Sequence, residues 1–251
     1  MRHKISCLYI LLVCLSSFPA TADNLLQLSA GISFWNSTPD GSFGETADSV
    51  LTLDKKSAVQ SSYYLTIEHP FPLAPNIKLS KTATSNNSSS TLDKTFVSNG
   101  SIFRVASALD VTADYDQLDV ITYFEIFDNR TLELDLGITF RQHSIHTQVT
   151  NQNDKSESVS NKVSDLEVLA YAAGKVNLPL LSIGAFIETS VVDKNSYDLQ
   201  AGVSYEFDAT KLAKTYLQVG VRTQTFEFTN LDGLYTQLDW QELFVGVEVR
   251  F

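Results

Sequence analysis

From about residue 26 to the last residue, apolar and polar side chains change places at every second position in ten separate segments. A period of two is the signature of strands that turn one face to an apolar and one to a polar environment. In residues 26–36, Leu26, Leu28, Ala30, Ile32 and Phe34 share a face, opposite Gln27, Ser29, Gly31 and Ser33. Residues 59–68 repeat the pattern with Val59, Ser61, Tyr63, Leu65 and Ile67, and 76–84 with Ile77 and Leu79. The segment 114–127 places Leu118, Val120, Thr122, Phe124 and Ile126 together. The sharpest alternation sets Leu132, Leu134, Leu136, Ile138 and Phe140 against Glu133, Asp135, Gly137, Thr139 and Arg141. Further segments cover 164–177, 181–192, 196–207, 215–228 and 237–251.

Between them lie two kinds of connection. The turns at 69–75, where Pro70, Pro72 and Pro75 interrupt pairing, at 128–130, at 178–180 and at 208–214 are short. The others are longer and polar. The run 85–90 reads as the fading of the third strand, 147–162 as a loop, and 229–236 as a loop with an Asp232-Gly233 turn. Around Asn99-Gly100, weak alternation over 91–113 predicts a small projecting hairpin.

The chain opens with Arg2, His3 and Lys4, an apolar stretch from Ile5 to about Phe18, and Ala20-Thr21-Ala22. This pattern predicts a secretory leader over 1–22 and a mature chain 23–251. No later stretch is continuously apolar for 18 residues. An exported chain of alternating strands can enter a membrane only as a closed barrel, because in lipid every backbone N–H and C=O must be satisfied internally. The ending Gly246-Val247-Glu248-Val249-Arg250-Phe251 alternates and stops on an aromatic, as a closing barrel strand does. The expected fold is therefore all-β, a transmembrane antiparallel up-and-down barrel of about ten strands. Its termini would both be periplasmic and its long loops extracellular, in a bacterial outer membrane. Val247, Val249 and Phe251 would form the assembly signal, and outer-membrane lipids, lipopolysaccharide, periplasmic chaperones and the barrel assembly machinery the partners of a monomer.

Charge and cysteine usage narrow the chemistry. The chain has 18 Lys+Arg and 29 Asp+Glu; losing Arg2 and Lys4 with the leader leaves 16 against 29, a net −13 that disfavours nucleic acid. Cys7 and Cys14 both fall in the leader, so the mature chain offers no disulfide or thiolate. The face opposite the apolar one carries Glu68, Asp119, Glu125, Glu133, Asp135, Glu167, Glu188, Asp198, Glu206, Glu242 and Glu248, with Lys78, Arg141, Lys175, Arg222 and Arg250. In a narrow barrel such long side chains would interlock and fill the lumen. A cation-preferring pore is the alternative.

Aromatics at Tyr205, Phe207, Tyr216, Phe71 and Phe251, and at Tyr63, Phe34, Phe226, Phe228 and Tyr235, suggest two girdles. The segment Ile67 to Leu79 around Glu68-His69-Pro70, together with Tyr123-Phe124-Glu125-Ile126, Leu134-Asp135-Leu136-Gly137 and the ending from Leu231 to Phe251, resembles a family of gammaproteobacterial outer-membrane β-barrel proteins of uncharacterised function. The resemblance spans the mature chain. It implies a barrel, and no enzyme activity, ligand, cofactor or catalytic residue.

The outer rim also carries residue types that hydrolysis uses. A protease of the omptin type would need acids and a histidine converging there, and Asp110, Asp114, Asp116, His143 and His146 are near one another. The chain offers no tall extracellular strands of that kind. Ser144 and His146 share a strand face, a spacing compatible with a nucleophile pair. His143 and His146, three apart, point to opposite faces, so they predict no metal site.

Overall fold

The computed structural model describes residues 26–251 apart from 38–39, 47–48, 53–57, 93–94, 99–100, 105–106, 208–212 and 232–233. The leader, the Asn99-Gly100 and Asp232-Gly233 turn signals and most of the turn expected over 208–214 lie outside the described residues. In chain order, β1 (Gln27–Ser37) leads into a small hairpin of β2 (Asp40–Thr46) and β3 (Ser49–Thr52), then β4 (Ala58–Glu68) and β5 (Asn76–Thr91). A second small hairpin, β6 (Phe96–Ser98) and β7 (Ser101–Phe103), precedes β8 (Ala108–Asp128), β9 (Leu132–Asn151) and β10 (Ser158–Leu178). The chain ends with β11 (Ile183–Asp193), β12 (Ser196–Phe207), β13 (Lys214–Leu231) and β14 (Leu234–Arg250).

Ten of these strands, all but the two small hairpins, form one antiparallel up-and-down wall. It closes where β1 pairs with β14 from Ser29 opposite Arg250 to Trp35 opposite Phe244. Closure removes the two free edges that an open sheet would leave unpaired in lipid. Outside, the alternating Leu, Ile, Val and Phe form a continuous apolar belt; Leu136 and Ile138, for example, are about half exposed. The wall is a transmembrane one.

The belt ends at one level. On β9 the outward series Leu134, Leu136, Ile138 and Phe140 gives way to Gln142, Ser144, His146, Gln148 and Thr150. Leu118 on β8 and Leu166 on β10 both lie opposite Gln142, so three neighbouring strands change at the same height. Beyond it the inner face changes in the opposite sense, from Glu133, Asp135 and Arg141 to Ile145 and Val149. Ile145 and Val149 join Leu109, Val111, Tyr115, Val159, Val163, Phe226, Leu238 and Trp240 in a buried apolar cluster. Phe43 and Leu51 of the first hairpin and Phe96 and Phe103 of the second complete it, with Phe43 edge-on to Phe96 at 6.0 Å.

Three expectations are thereby corrected. The run 85–90 is not a fading strand but part of β5, paired from Asn76 opposite Tyr123 to Thr91 opposite Ala108. Of residues 147–162 only 152–157 form a loop, because β9 and β10 stay in register from Leu132 opposite Val176 out to Thr150 opposite Ser158. The wall is tall after all, since eleven residues beyond Phe140 at ~3.3 Å rise and ~40° tilt reach about 28 Å above the belt. Four strands of the wall stay short, β1 and β4 at 11 residues each and β11 and β12 at 11 and 12, the last two joined from Asp193 to Ser196. Three members of the expected girdles also change place: Tyr216 and Phe226 are buried inside, and Phe228 packs inside against the apolar cluster. At the tip of β9 and β10, Ser156 donates to Asp154 from its backbone N at 3.0 Å and its Oγ at 2.6 Å. These bonds hold the Asp154 carboxyl below its ordinary range, so the turn loosens as pH falls through that lowered value.

The level of the belt can be tested by unfolding the refolded barrel in lipid vesicles. Ile138→Lys should cost about 2–4 kcal/mol, whereas Ser144→Lys, six residues further along the same face, should stay within about 0.5 kcal/mol of the parent. Equal losses at both positions would place the boundary elsewhere.

Candidate functional site

The inward faces of the ten strands meet in a lumen built in three layers. The middle layer lies just inside the level where the belt ends and spans the barrel. On one wall, Arg141 of β9 reaches Asp119 of β8 through two parallel bonds, Nε to Oδ1 and Nη2 to Oδ2, both 2.9 Å. Across the lumen, Arg222 of β13 makes the same fork to Asp198 of β12, Nε to Oδ1 at 3.0 Å and Nη2 to Oδ2 at 2.8 Å. Arg141 Nη2 also donates to Asp198 Oδ2 at 3.1 Å, which joins the two halves. Gln117 donates to Asp119 at 2.8 Å, and Gln224 donates to both Gln117 and Asp198. Arg141 is 1% exposed. Two carboxylates and two guanidiniums cancel in charge, and the planar fork suits Arg to such bidentate pairing.

Above it the filling becomes aromatic. His143 sits between Tyr115 Oη, 2.7 Å from Nδ1, and Glu167 Oε2, 3.0 Å from Nε2. Glu167 Oε1 accepts from Ser196 Oγ at 2.7 Å. One neutral tautomer satisfies both ring nitrogens, accepting from the phenol and donating to the carboxylate. The rings of Phe226 and Phe228 meet His143 at 5.2 and 5.0 Å, and Trp240 meets Tyr115 and Phe226. His143 therefore packs in the plug, while His146 faces outward, as their spacing implies.

Below the Arg layer lies a polar cavity of about 150 Å³. Seven acids line it, Glu68, Asp119, Glu133, Asp135, Glu188, Asp198 and Glu248, with five bases, Lys78, Arg141, Lys175, Arg222 and Arg250, a net −2. Most of these groups hold one another. Lys78 Nζ lies 2.6 Å from Glu188 Oε1 and 2.7 Å from Oε2, Gln200 donates to Glu188 at 2.8 Å, and Tyr123 donates to Glu68 at 2.8 Å. Asn177 donates to Glu133 at 2.9 Å, and Arg250 to Glu248 at 3.2 Å.

Glycines make room for this network at two places. A Cβ on Gly31 would stand 2.3 Å from the Tyr64 ring. Tyr64, Gly31 and Glu248 are directly paired across β4, β1 and β14. The phenol thus lies over the bare backbone of β1 and donates to Glu248, latching the seam where the barrel closes. Gly137 is paired with Tyr123 on one side and Tyr171 on the other, whose rings approach to 5.7 Å, and a Cβ there would stand 2.1 Å from the Thr122 carbonyl oxygen and 2.7 Å from the Tyr123 Cα and Cβ.

Of the acids and bases expected inside, Glu68, Asp119, Glu133, Asp135, Arg141, Lys175, Glu188, Arg222, Glu248 and Arg250 line the cavity. Glu167 stands in the plug above it. Glu242 is buried opposite Arg222 on the adjacent strand. Glu206 pairs with Lys214 at 3.0 Å, and Glu125 is exposed beside a bulge between Glu125 and Phe127. Missed in the sequence were Tyr64, Thr82, Gln117 and Gln224; the inward spacings Gln117-x-Asp119 and Arg222-x-Gln224 carry the signal for the last two. Among the described residues there is no group of three or more His, Asp or Glu placed to hold a metal ion.

No protein-family model and no curated protein matches the chain in sequence. Among solved structures it is similar to the outer-membrane protease OmpT of Escherichia coli, at 9% identity over 90% of this chain and 97% of that one, with a TM-score of 0.47. It is also similar to Ail, the attachment invasion locus protein of Yersinia pestis (11% identity, 90% of this chain and 99% of that one, TM-score 0.43). The toluene transporter TodX of Pseudomonas putida matches at 8% identity over 93% and 92% of the two chains, with a TM-score of 0.34. These likenesses carry no residue role or activity across.

The cross-lumen layer makes a sharp stability prediction. Asp198→Asn takes from Arg222 the carboxylate it forks onto and from Arg141 its second one, and it should cost about 3–5 kcal/mol in urea unfolding from vesicles. The double replacement Asp198→Asn with Arg222→Met should recover part of the loss. A single variant as stable as the parent would mean that the layer does not hold the barrel together.

Proposed function

We propose that this protein is a sealed bacterial outer-membrane barrel with periplasmic termini, acting as a structural or surface-interaction protein and presenting its tall wall to the outside. One observation carries this reading: across the full lumen the Arg141–Asp119–Asp198–Arg222 layer is capped by buried aromatic and aliphatic side chains. A charge crossing here would have to break paired ions and then enter an apolar plug, both costly steps. The cavity below is small beside the ~300–1,000 Å³ of ordinary small-molecule sites, and its charges are largely paired.

The orientation rests on the short turns at the end that carries both termini and on the tall strands at the other, the usual asymmetry of such barrels. Lipid and lipopolysaccharide would meet the belt. The outward residues Val247, Val249 and Phe251 of the last strand, the last of them 42% exposed, would serve periplasmic chaperones and the barrel assembly machinery. The likeness of the Glu68-His69-Pro70 turn to gammaproteobacterial barrels agrees with this compartment. The protein would act as a monomer, because the ten strands already close on themselves.

Two experiments test the reading. In planar bilayers the refolded mature protein should give no discrete conductance steps. Cation-selective steps that Glu125→Gln or Glu167→Gln alters would instead establish a narrow pore. Deleting Phe251 should slow insertion and lower the yield of heat-modifiable barrel in cells; unchanged yield and mobility would remove the terminal residue from the assembly signal.

A further inference from the structure

Above the belt, on the outer face, four neighbouring strands bring a serine, a histidine and an aspartate into one row, with a hydrogen bond between Ser160 and His146 and a longer ion-pair contact between His146 and Asp114. His146 of β9 has its Nε2 3.0 Å from Ser160 Oγ of β10 and its Nδ1 3.5 Å from Asp114 Oδ2 of β8. The other carboxylate oxygen of Asp114 accepts from Ser85 Oγ of β5. Register produces the row. Ser85 lies opposite Asp114 and Asp114 opposite His146, while Ser160 stands diagonally, two residues before Lys162, which His146 faces. The serine that shares the face of His146 on its own strand, Ser144, has no hydrogen bond to the imidazole among the described residues, so the nucleophile comes from the next strand.

We infer that Ser160, His146 and Asp114 form an esterase site on the outer wall, for short acyl esters carried by a bulky polar alcohol such as a glycan. Each ring nitrogen has the partner the chemistry needs, with the hydroxyl at Nε2 and the carboxylate at Nδ1. The imidazole and the carboxylate are 40% and 42% exposed, open to substrate. Directly across from Ser160 and His146 on the adjoining strands stand Gln148 and Lys162, an amide and an ammonium on the same outward face for a developing oxyanion. The neighbours Ser158, Lys162, Gln148 and Thr150 are polar, which suits a hydroxyl-rich carrier and offers nothing to a long acyl chain. His146 stands six residues beyond Phe140, about 15 Å above the belt, at the height of headgroup sugars rather than of acyl chains.

The step balances within the triad. Ser160 Oγ attacks the acyl carbon while its proton passes to His146 Nε2. The bond from the acyl carbon to the alcohol oxygen breaks, and the alcohol leaves with that proton, giving acyl-Ser160. Water then attacks the acyl carbon and yields its proton to Nε2. The bond to Oγ breaks, Oγ recovers the proton, and the carboxylic acid departs. Asp114 positions the imidazole and stabilises its charged form.

The test uses the full mature protein refolded in detergent, with heat-modifiable mobility as the folding control. A fluorophosphonate probe should label the parent at Ser160, located by peptide mass spectrometry. Turnover of p-nitrophenyl acetate should exceed that of the palmitate ester. Ser160→Ala should return turnover to the buffer rate, and Ser144→Ala should leave it unchanged. Asp114→Asn should lower kcat more than tenfold with KM unchanged, short of the roughly 10⁴-fold loss of a buried triad. An unlabelled Ser160 in the folded parent, or hydrolysis equal in the parent and Ser160→Ala, would overturn the assignment. So would a preference for palmitate, which would overturn the substrate class.

Discussion

One sheet wall here serves two outer solvents, and a strand can adapt to that in only one way. Side chains alternate strictly between its faces, so a residue cannot change sides without shifting the register of the whole ladder. When the exterior passes from lipid to water, the identity of the residues must change on both faces at once. Outside, Phe140 yields to Gln142. Inside, Arg141 and His143 yield to Ile145. Each half is then amphipathic in the opposite sense, and the same hydrogen-bonded strand runs unbroken through the change. The tall half behaves as a water-soluble sheet with an apolar interior, and the lower half as a membrane barrel with a polar one.

The Arg layer occupies the junction between these two interiors. A polar lower lumen cannot simply abut an apolar upper one, because the uppermost charges would lose water on one side without gaining partners. The geometry avoids this by pairing. Arg141 and Arg222 each fork onto a carboxylate, Asp198 bridges them, and the amides of Gln117 and Gln224 donate further bonds to the Oδ2 atoms of Asp119 and Asp198 before the aromatic rings begin. Phe226 then lies over the Arg141 guanidinium at 5.4 Å and Trp35 over that of Arg222 at 5.3 Å. The boundary thus passes from ion pair to cation–π contact to aliphatic packing in steps, each less polar than the last.

The halves differ in how openly the sequence declares them, for a physical reason. In the belt, Leu132 to Phe140 alternates against acids, glycine and threonine, and a half-apolar strand is plain in the one-dimensional pattern. In β5 beyond Thr84 the inward residues are Asn86 and Ser88 and the outward ones Ser85, Asn87 and Ser89, so no hydrophobic period exists to read. That stretch is a strand because β8 pairs with it, a fact held by the partner and not by its own residues. In β9 and β10 the inward Ile145, Val149, Val159 and Val163 do alternate, but with the opposite phase meaning, and a reader expecting polar lumen and apolar exterior takes them for a loop. The inward acids and bases were legible as a set because parity alone assigns the face. Which of them meet across the lumen was not. Arg141 and Asp198 are 57 residues apart and come together only through closure.

Closure also decides where chemistry with the outside can occur. Ten strands leave a lumen that side chains nearly fill, and here the filling takes up most of the inward acids, bases and aromatics of the belt and the tall half alike. A group that is to meet a solute from outside must therefore stand on the outer face, and within lipid that face is restricted to apolar residues. Only the tall half of the wall escapes both restrictions. There the antiparallel ladder acts as a ruler, setting outward residues of adjacent strands about 5 Å apart, the spacing at which a Ser, a His and an Asp on consecutive strands can share hydrogen bonds. The inversion of the amphipathic pattern, needed first to let the strands stand in water, is what exposes a rigid polar surface on which side chains from β5, β8, β9 and β10 can be held in such a row.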